Sequence, residues 1–235
     1  MKKSDKQKYI FSIIVISVLF ISLPLRHCGK EKADDYTSLP VINYEEEQEK
    51  IDLLMLVNQK NPIDEDFKLE LVNYKGHPIH RVLVEDLNEM VLAAKKDGVI
   101  LEINTSYRDS KYQQELFDEE VEEQMKQGLS KNAAEQEALK TVSKPGFSEH
   151  ETGLAIDFSE SGNYIKNKIM WDWLASNAHK YGFIERYPKT KQQITKISYE
   201  PWHYRYVGKI NSVDIYASGL SLEEYVNLNT VDGVK

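Results

Sequence analysis

Two short stretches far apart in the chain, residues 154–158 and 202–207, alternate their side chains with a period of two. Successive side chains of a strand point to opposite faces, so Leu154, Ile156 and Phe158 share one face of the first stretch and Ala155 and Asp157 the other. It reads as a strand with one buried face and one small, polar face. In the second stretch Trp202, Tyr204 and Tyr206 alternate with His203, Arg205 and Val207, and Pro201 marks its beginning. Helical spacing surrounds both. Leu87, Met90, Val91 and Ala94 fall three or four apart ahead of Gly98, which supplies a stop. Residues 99–103 are apolar and β-branched and read as a buried strand leading to Thr105, Ser106, Tyr107 and Arg108. Ser110 caps the next helix, with Gln113 completing a capping box ahead of Leu116, Phe117 and Val121. A second helical stretch follows over 130–141, and the acidic DEEVEEQMKQG before it reads as a solvated link. Residues 169–181 form a helix with Trp173 and Leu174 inward, closed by Gly182, and Ser221 with Glu224 opens a short C-terminal helix. The expected class is α+β, a small antiparallel sheet flanked by helices.

What the chain lacks bounds its chemistry. One Cys among 235 residues leaves no disulfide framework and no cysteine-rich zinc finger, so any metal site must use His and carboxylates. A hydrophobic share of 41% against 29% charged excludes a polytopic membrane protein and a disordered tail. The first 30 residues hold six Lys/Arg and one acid, so the formal charge of -8 conceals about -13 on the remainder. So acidic a body lacks the footprint that phosphate backbones require, and nucleic acid is not an expected partner.

Residues 9–25 are uncharged and mostly apolar, preceded by lysines, with Pro24 near their end and Arg26 and Lys30 following. The run exceeds the roughly 7–15 residues of a cleavable signal core, no A-x-A-like site follows, and it reaches the lower end of the spanning range. It is expected to be an uncleaved single-pass anchor with a cytoplasmic N-terminus, which places everything after Lys30 outside the cell membrane. Cys28 lacks the small preceding residues of a lipobox and reads as an incidental thiol. The organisation expected is a Lys-rich start and anchor over 1–30, an acidic, Pro-containing tether over 31–49, and one folded domain over 50–235, acting as a monomer.

No Ser is followed three positions later by Lys, no G-x-S-x-G occurs, and the lone Cys sits beside the apolar run. Covalent catalysis by serine or cysteine thus loses its usual sequence support. What remains is a metal-ligand constellation of His150, Asp157 and His203, with Glu200 three residues before the last histidine. Hydrolytic zinc needs three His, Asp or Glu ligands and an open position for water, whose pKa it lowers toward ~7. Glu200, at a Pro-fixed bend, suits the role of a carboxylate that takes the water proton and hands it to a leaving amine. His27, His77, His80 and His179 read as solvated or satisfied, and Glu151 is not expected to be the base because no second His follows at helical spacing and Gly153 breaks the helix. Arg108 fits either a substrate carbonyl or carboxylate, or a structural ion pair. Ser148 either donates into the site or starts the turn, and Trp202 is core or pocket wall.

Four segments, SYRDSKYQQELF (106–117), KPGFSEHETGLAIDF (144–158), WLASNAHKYGFIERYP (173–188) and EPWHYRYVG (200–208), resemble VanY-type D-alanyl-D-alanine carboxypeptidases, in the zinc peptidase family that also contains bacterial L,D-carboxypeptidases. The resemblance extends over roughly 50–228. It implies that His150, Asp157 and His203 bind Zn2+ on the sheet, Glu200 is the base, and Arg108 stabilises the scissile carbonyl oxygen. Gln113 and Ser148 would help receive the terminal carboxylate. Tyr107 and Trp202 are expected as further substrate contacts. The implied reaction removes the last D-alanine from peptidoglycan stem peptides or precursors outside the cell, in glycopeptide resistance or in wall remodelling. An L,D-carboxypeptidase acting on tetrapeptides is the alternative, followed by a zinc-stabilised wall-binding module without turnover. Thr105-Ser106 departs from the Ser-Gly that relatives often carry before Tyr-Arg.

Overall fold

The computed structural model describes residues 34–35, 51–160 and 162–231. The apolar run at 9–25, His27, Cys28 and most of the acidic tether lie outside the described residues. Among those described, no helix is long and apolar enough to cross a membrane.

The described residues form two sheets. In the first, β1 (Asp34–Asp35), β2 (Leu71–Tyr74) and β3 (His77–His80) lie in that order. β2 and β3 are joined by Lys75-Gly76, whose φ angles of 52° and 91° are both positive, as the twist of a two-residue hairpin requires. The second sheet contains β4 (Ile103–Thr105), β5 (Ala155–Phe158), β6 (Phe183–Glu185) and β7 (His203–Tyr206), in the spatial order β4-β5-β7-β6 with every neighbouring pair antiparallel.

Register is the property of this sheet that matters most. Asp157 pairs directly with His203, Ile156 with Tyr204 and Ala155 with Arg205. A slip of one residue would carry every side chain to the opposite face, and the core prevents it: Leu154, Ile156, Phe158, Tyr204 and Tyr206 all join the main apolar cluster. The other face, with Asp157, His203 and Arg205, is also buried, so these two strands carry ionisable groups into the interior.

Seven α-helices surround the sheets among the described residues: α1 (Val84–Lys96), α2 (Ser110–Lys126), α3 (Lys131–Ala138), α4 (Tyr164–Asn177), α5 (Gln192–Thr195), α6 (Lys209–Ser218) and α7 (Leu222–Val231). α1 buries Val84, Leu87, Met90 and Ala94 and ends at Gly98, where the Val99 N–H returns to the Ala94 carbonyl. α2 and α3 pack through their own small cluster of Phe117, Val121, Ala134 and Ala138.

Four expectations need correction. The strand expected at 99–103 lies at Ile103–Thr105, because only that segment reaches β5; Ile100 is exposed. The cap of α2 is Asp109, whose side chain accepts from the Tyr112 N–H, so Ser110 and Gln113 form no capping box. Most of the acidic link belongs to α2, whose glutamates, Gln124 and Met125 are good helix formers. The helix expected from 169 starts at Tyr164 behind the Asn163 cap and passes into a 3-10 turn, Ala178–Tyr181.

Between the hairpin and β5, the 3-10 turn Glu149–Thr152 ends in Gly153 at φ +68°. A Cβ there would stand 2.8 Å from the backbone nitrogen of His80, whose N–H bonds the Gly153 carbonyl at 2.9 Å. Gly153→Ala is therefore expected to destabilise the fold by roughly 2–5 kcal/mol, combining left-handed strain with a backbone clash. Urea denaturation measures this, and an unchanged midpoint would remove the argument.

Candidate metal centre

His150 lies in the turn that Gly153 closes, Asp157 on β5 and His203 on β7. One ligand atom from each lies within 4.8 Å of the other two. The rings of His150 and His203 stand edge to face with centroids 4.8 Å apart. His150 Nδ1 is 2.7 Å from the Ser106 carbonyl, which only accepts, so Nδ1 carries the proton and Nε2 faces Asp157 Oδ1 at 3.3 Å. His203 divides its nitrogens in the opposite sense, with Nδ1 3.0 Å from Asp157 Oδ1 and Nε2 3.3 Å from Glu149 Oε2. Each ring thus has one nitrogen tied to a partner and the other turned to a common point. Two imidazoles and a carboxylate so arranged fit the donor set of a divalent transition metal, zinc above all.

The charges around this point are strongly coupled. Burial alone would raise Asp157, but His150 and His203 hold its carboxyl well below the usual range. Burial lowers His150, helped by the charge of Arg108. For His203 burial acts the same way, yet its hydrogen bonds to Asp157 and Glu149, with their charges, prevail and push it up to about 9 while protons hold the cluster together. Glu200 Oε2 lies 4.0 Å from His203 Nδ1, and its carboxyl is pushed up to about 8, by burial first and then by the charges of Asp157 and Glu149.

Arg108 Nη2 pairs with Asp157 Oδ2 at 3.2 Å, and Nη1 donates to Gln113 Oε1 at 3.4 Å. The fully buried Gln113 donates in turn to the Ser143 carbonyl at 2.7 Å, a position opened by the shift of the helix cap to Asp109. Ser148 is buried two residues before His150. Tyr107 is half-buried beside Arg108, its N–H on the Pro78 carbonyl. Trp202, one residue before His203, is half-buried with its ring 5.8 Å from that of Trp171. The two oxygens of Glu151 are taken by Ser110 Oγ and the Gly146 N–H, which makes it a tie between loops. His80 is buried and bonded through both ring nitrogens, and His179 stacks on Tyr216. Hollows of about 230 and 200 Å³ open elsewhere on the domain, and neither is lined by a member of the metal cluster. Convergent donors locate the site here better than cavity size does.

The sequence reading missed Glu149, Arg186 and Arg205, all buried behind His203. Arg205 carried a signal, because period two puts it on the face of His203. Burial alone would raise the Glu149 carboxyl, but Arg186 and Arg205 outweigh that and hold it below the ordinary carboxylate range.

Known proteins are similar to this chain in sequence and in fold, and one of them was solved with zinc. A D-alanyl-D-alanine carboxypeptidase of Enterococcus faecalis (strain ATCC 700802 / V583) is 41% identical over 175 residues, 74% of this chain, which itself spans 65% of that relative's length. A vancomycin-resistance D,D-pentapeptidase VanY mutant from a VanB-type cassette, solved in complex with Zn(II), superposes with a TM-score of 0.70 at 40% identity, over 74% of this chain and 98% of the other. The LD-carboxypeptidase LdcB matches with a TM-score of 0.63 at 36% identity, over 74% and 86%. The family described as VanY, D-alanyl-D-alanine carboxypeptidase, matches residues 76–209, a span that includes every residue of the cluster and more than half of the sequence. The chain belongs to the VanY family.

Proposed function

We propose that this protein is a zinc-dependent D,D-carboxypeptidase that hydrolyses the C-terminal D-alanine from peptidoglycan stem peptides or their precursors. The observation that carries the reading is the convergence of His150 Nε2, Asp157 Oδ1 and His203 Nδ1 on one point, with a carboxyl group that does not join them only 4.0 Å from His203. A zinc ion held there would supply Lewis acidity and lower the pKa of a water toward ~7. Glu200 takes the proton of the attacking water as the C–O bond forms and returns it to the amine of the departing D-alanine as the C–N bond then breaks. Arg108, fixed by Asp157 and Gln113, offers positive charge to the carbonyl oxygen as it becomes anionic; its buried Nε–H has no protein partner among the described residues. Gln113 and Ser148 receive the terminal carboxylate, and Tyr107 and Trp202 flank the peptide.

The domain works as a monomer outside the cytoplasmic membrane, anchored through residues 9–25 with the N-terminus inside. Stem peptides lie on that side of the membrane. Removal of terminal D-alanine takes away the end that glycopeptide antibiotics recognise, which supports a part in vancomycin resistance. The LdcB likeness favours a second reading, trimming of tetrapeptides by the same chemistry in a differently shaped pocket. Incubation with pentapeptide and tetrapeptide stems, followed by mass spectrometry, separates the two. D-Alanine release from the pentapeptide, abolished by a chelator and indifferent to penicillin, is expected. Release from the tetrapeptide alone sinks the D,D reading, and no release from either with zinc present sinks the hydrolase.

A further inference from the structure

His203 needs more than proximity to bind a metal. An imidazole offers one lone pair when neutral, and whichever nitrogen carries the proton is lost as a ligand. Behind the metal side of His203 stands a buried ionic chain drawn from four parts of the sequence. Glu149 Oε2 is 3.3 Å from His203 Nε2. Glu149 Oε1 accepts from Arg186 Nε at 2.7 Å and pairs with Arg205 Nη1 at 3.2 Å. The remaining fork of Arg186 is clasped by Glu223, Nη1 to Oε2 at 2.9 Å and Nη2 to Oε1 at 2.7 Å. Arg205 is immobilised on its far side by the Leu53 and Met55 carbonyls. Glu149, Arg186, Arg205 and Glu223 are all buried.

We infer that Glu149 is a positioning residue for the metal centre: its carboxylate holds the proton of His203 on Nε2 and so presents the Nδ1 lone pair to the ion, while Arg186, Arg205 and Glu223 fix that carboxylate. Two features of the geometry and one of the energetics point this way. Both oxygens of Glu149 are assigned, one to the guanidiniums and one to the ring, so the carboxylate cannot rotate without breaking an ion pair. The partner of His203 is anionic where that of His150 is a neutral carbonyl, which makes His203 the more basic of the two ligands. A buried ionic group is moreover a poor way to add stability, since apolar side chains of equal volume commonly do as well. The chain also links the first turn of α7 to the metal across more than 70 residues of sequence separating Glu223 from Glu149.

The inference rests on the zinc reading, and one titration tests the two separately. Zinc affinity is measured by chelator competition for the wild type, Glu149→Gln and Glu223→Gln, with circular dichroism and a thermal melt of each metal-free chain, and the absorption spectrum of the cobalt-substituted proteins is recorded alongside. Absence of zinc binding in the wild type defeats the zinc reading itself. Given wild-type binding, folded Glu149→Gln is expected to bind zinc about 10–100-fold more weakly, with an altered cobalt ligand-field spectrum and a loss in kcat larger than any change in KM. Glu223→Gln leaves the His203 contact in place and frees Arg186 to draw charge from Glu149, so its zinc affinity should fall in the same direction by a smaller factor. Wild-type affinity and an unchanged cobalt spectrum in Glu149→Gln overturn the inference. If that variant fails to fold, the same result in Glu223→Gln overturns it.

Discussion

Glu200→Gln is expected to lower kcat for D-alanine release by about 10³-fold while zinc content stays at the wild-type level. The two halves of this result have separate causes. Glu200 stands 4.0 Å from His203 Nδ1 and belongs to no ligand pair, so an amide of the same shape leaves the three donors where they are. What the amide cannot do is accept a proton. Burial and the charges of Asp157 and Glu149 push the Glu200 carboxyl up to about 8, which makes the carboxylate an unusually strong base for its type; a dication beside it favours ionisation and brings it into its working form near neutrality. The wild type should therefore lose activity as pH falls and Glu200 is protonated, and this acid limb should vanish from the residual activity of the variant. Steady-state kinetics with parallel metal analysis decide the matter. Turnover within tenfold of wild type would remove Glu200 from the mechanism, and loss of zinc would recast it as part of the metal site.

The parts of the molecule that were legible in the sequence are those in which apolar and polar positions separate cleanly. Residues 154–158 and 202–207 combine a strict period of two with a distinct set of ionisable groups, so strand, face and candidate ligand could be read together. The hairpin β2–β3 offered no such contrast. Its strands are four residues long, and β3 holds Pro78 and two histidines; only Lys75-Gly76 marks the turn. The start of α4 was hidden because Tyr164 and Ile165 are 72% and 74% exposed, so its first turn lacks an inward apolar stripe. At α2 two good capping residues, Asp109 and Ser110, compete one position apart. The choice of Asp109 turns Gln113 from a helix cap into a buried partner of Arg108. The Glu149–Arg186–Glu223 chain was beyond pattern reading altogether. Each of its contacts joins residues 37 positions apart, and nothing local distinguishes a buried glutamate from the exposed ones that fill this acidic sequence.

Asp157→Asn is expected to weaken zinc binding by about 10³-fold at pH 8, roughly 4 kcal/mol, and to abolish turnover at ordinary zinc concentrations. The carboxylate is the single anion among the three donors, and its second oxygen anchors Arg108, so the substitution removes a ligand charge and frees a guanidinium beside a cation. The pH dependence separates this cause from simple misfolding. In the wild type Asp157 and Glu149 together push His203 up to about 9, and the second proton of the imidazolium occupies Nδ1, the nitrogen that must face the ion. Binding zinc below that pH expels the proton, so wild-type affinity should rise about tenfold for each pH unit between 6.5 and 8.5 through this group alone. In Asp157→Asn one of the two anionic partners is lost, His203 falls back toward the ordinary value near 6.5, and above about pH 7 the proton no longer competes. The variant should therefore bind weakly with a flattened pH dependence, and chelator competition at several pH values reads both quantities. Parallel slopes for the two proteins would mean that another group supplies the competing proton and that the Asp157–His203 contact does not govern the site.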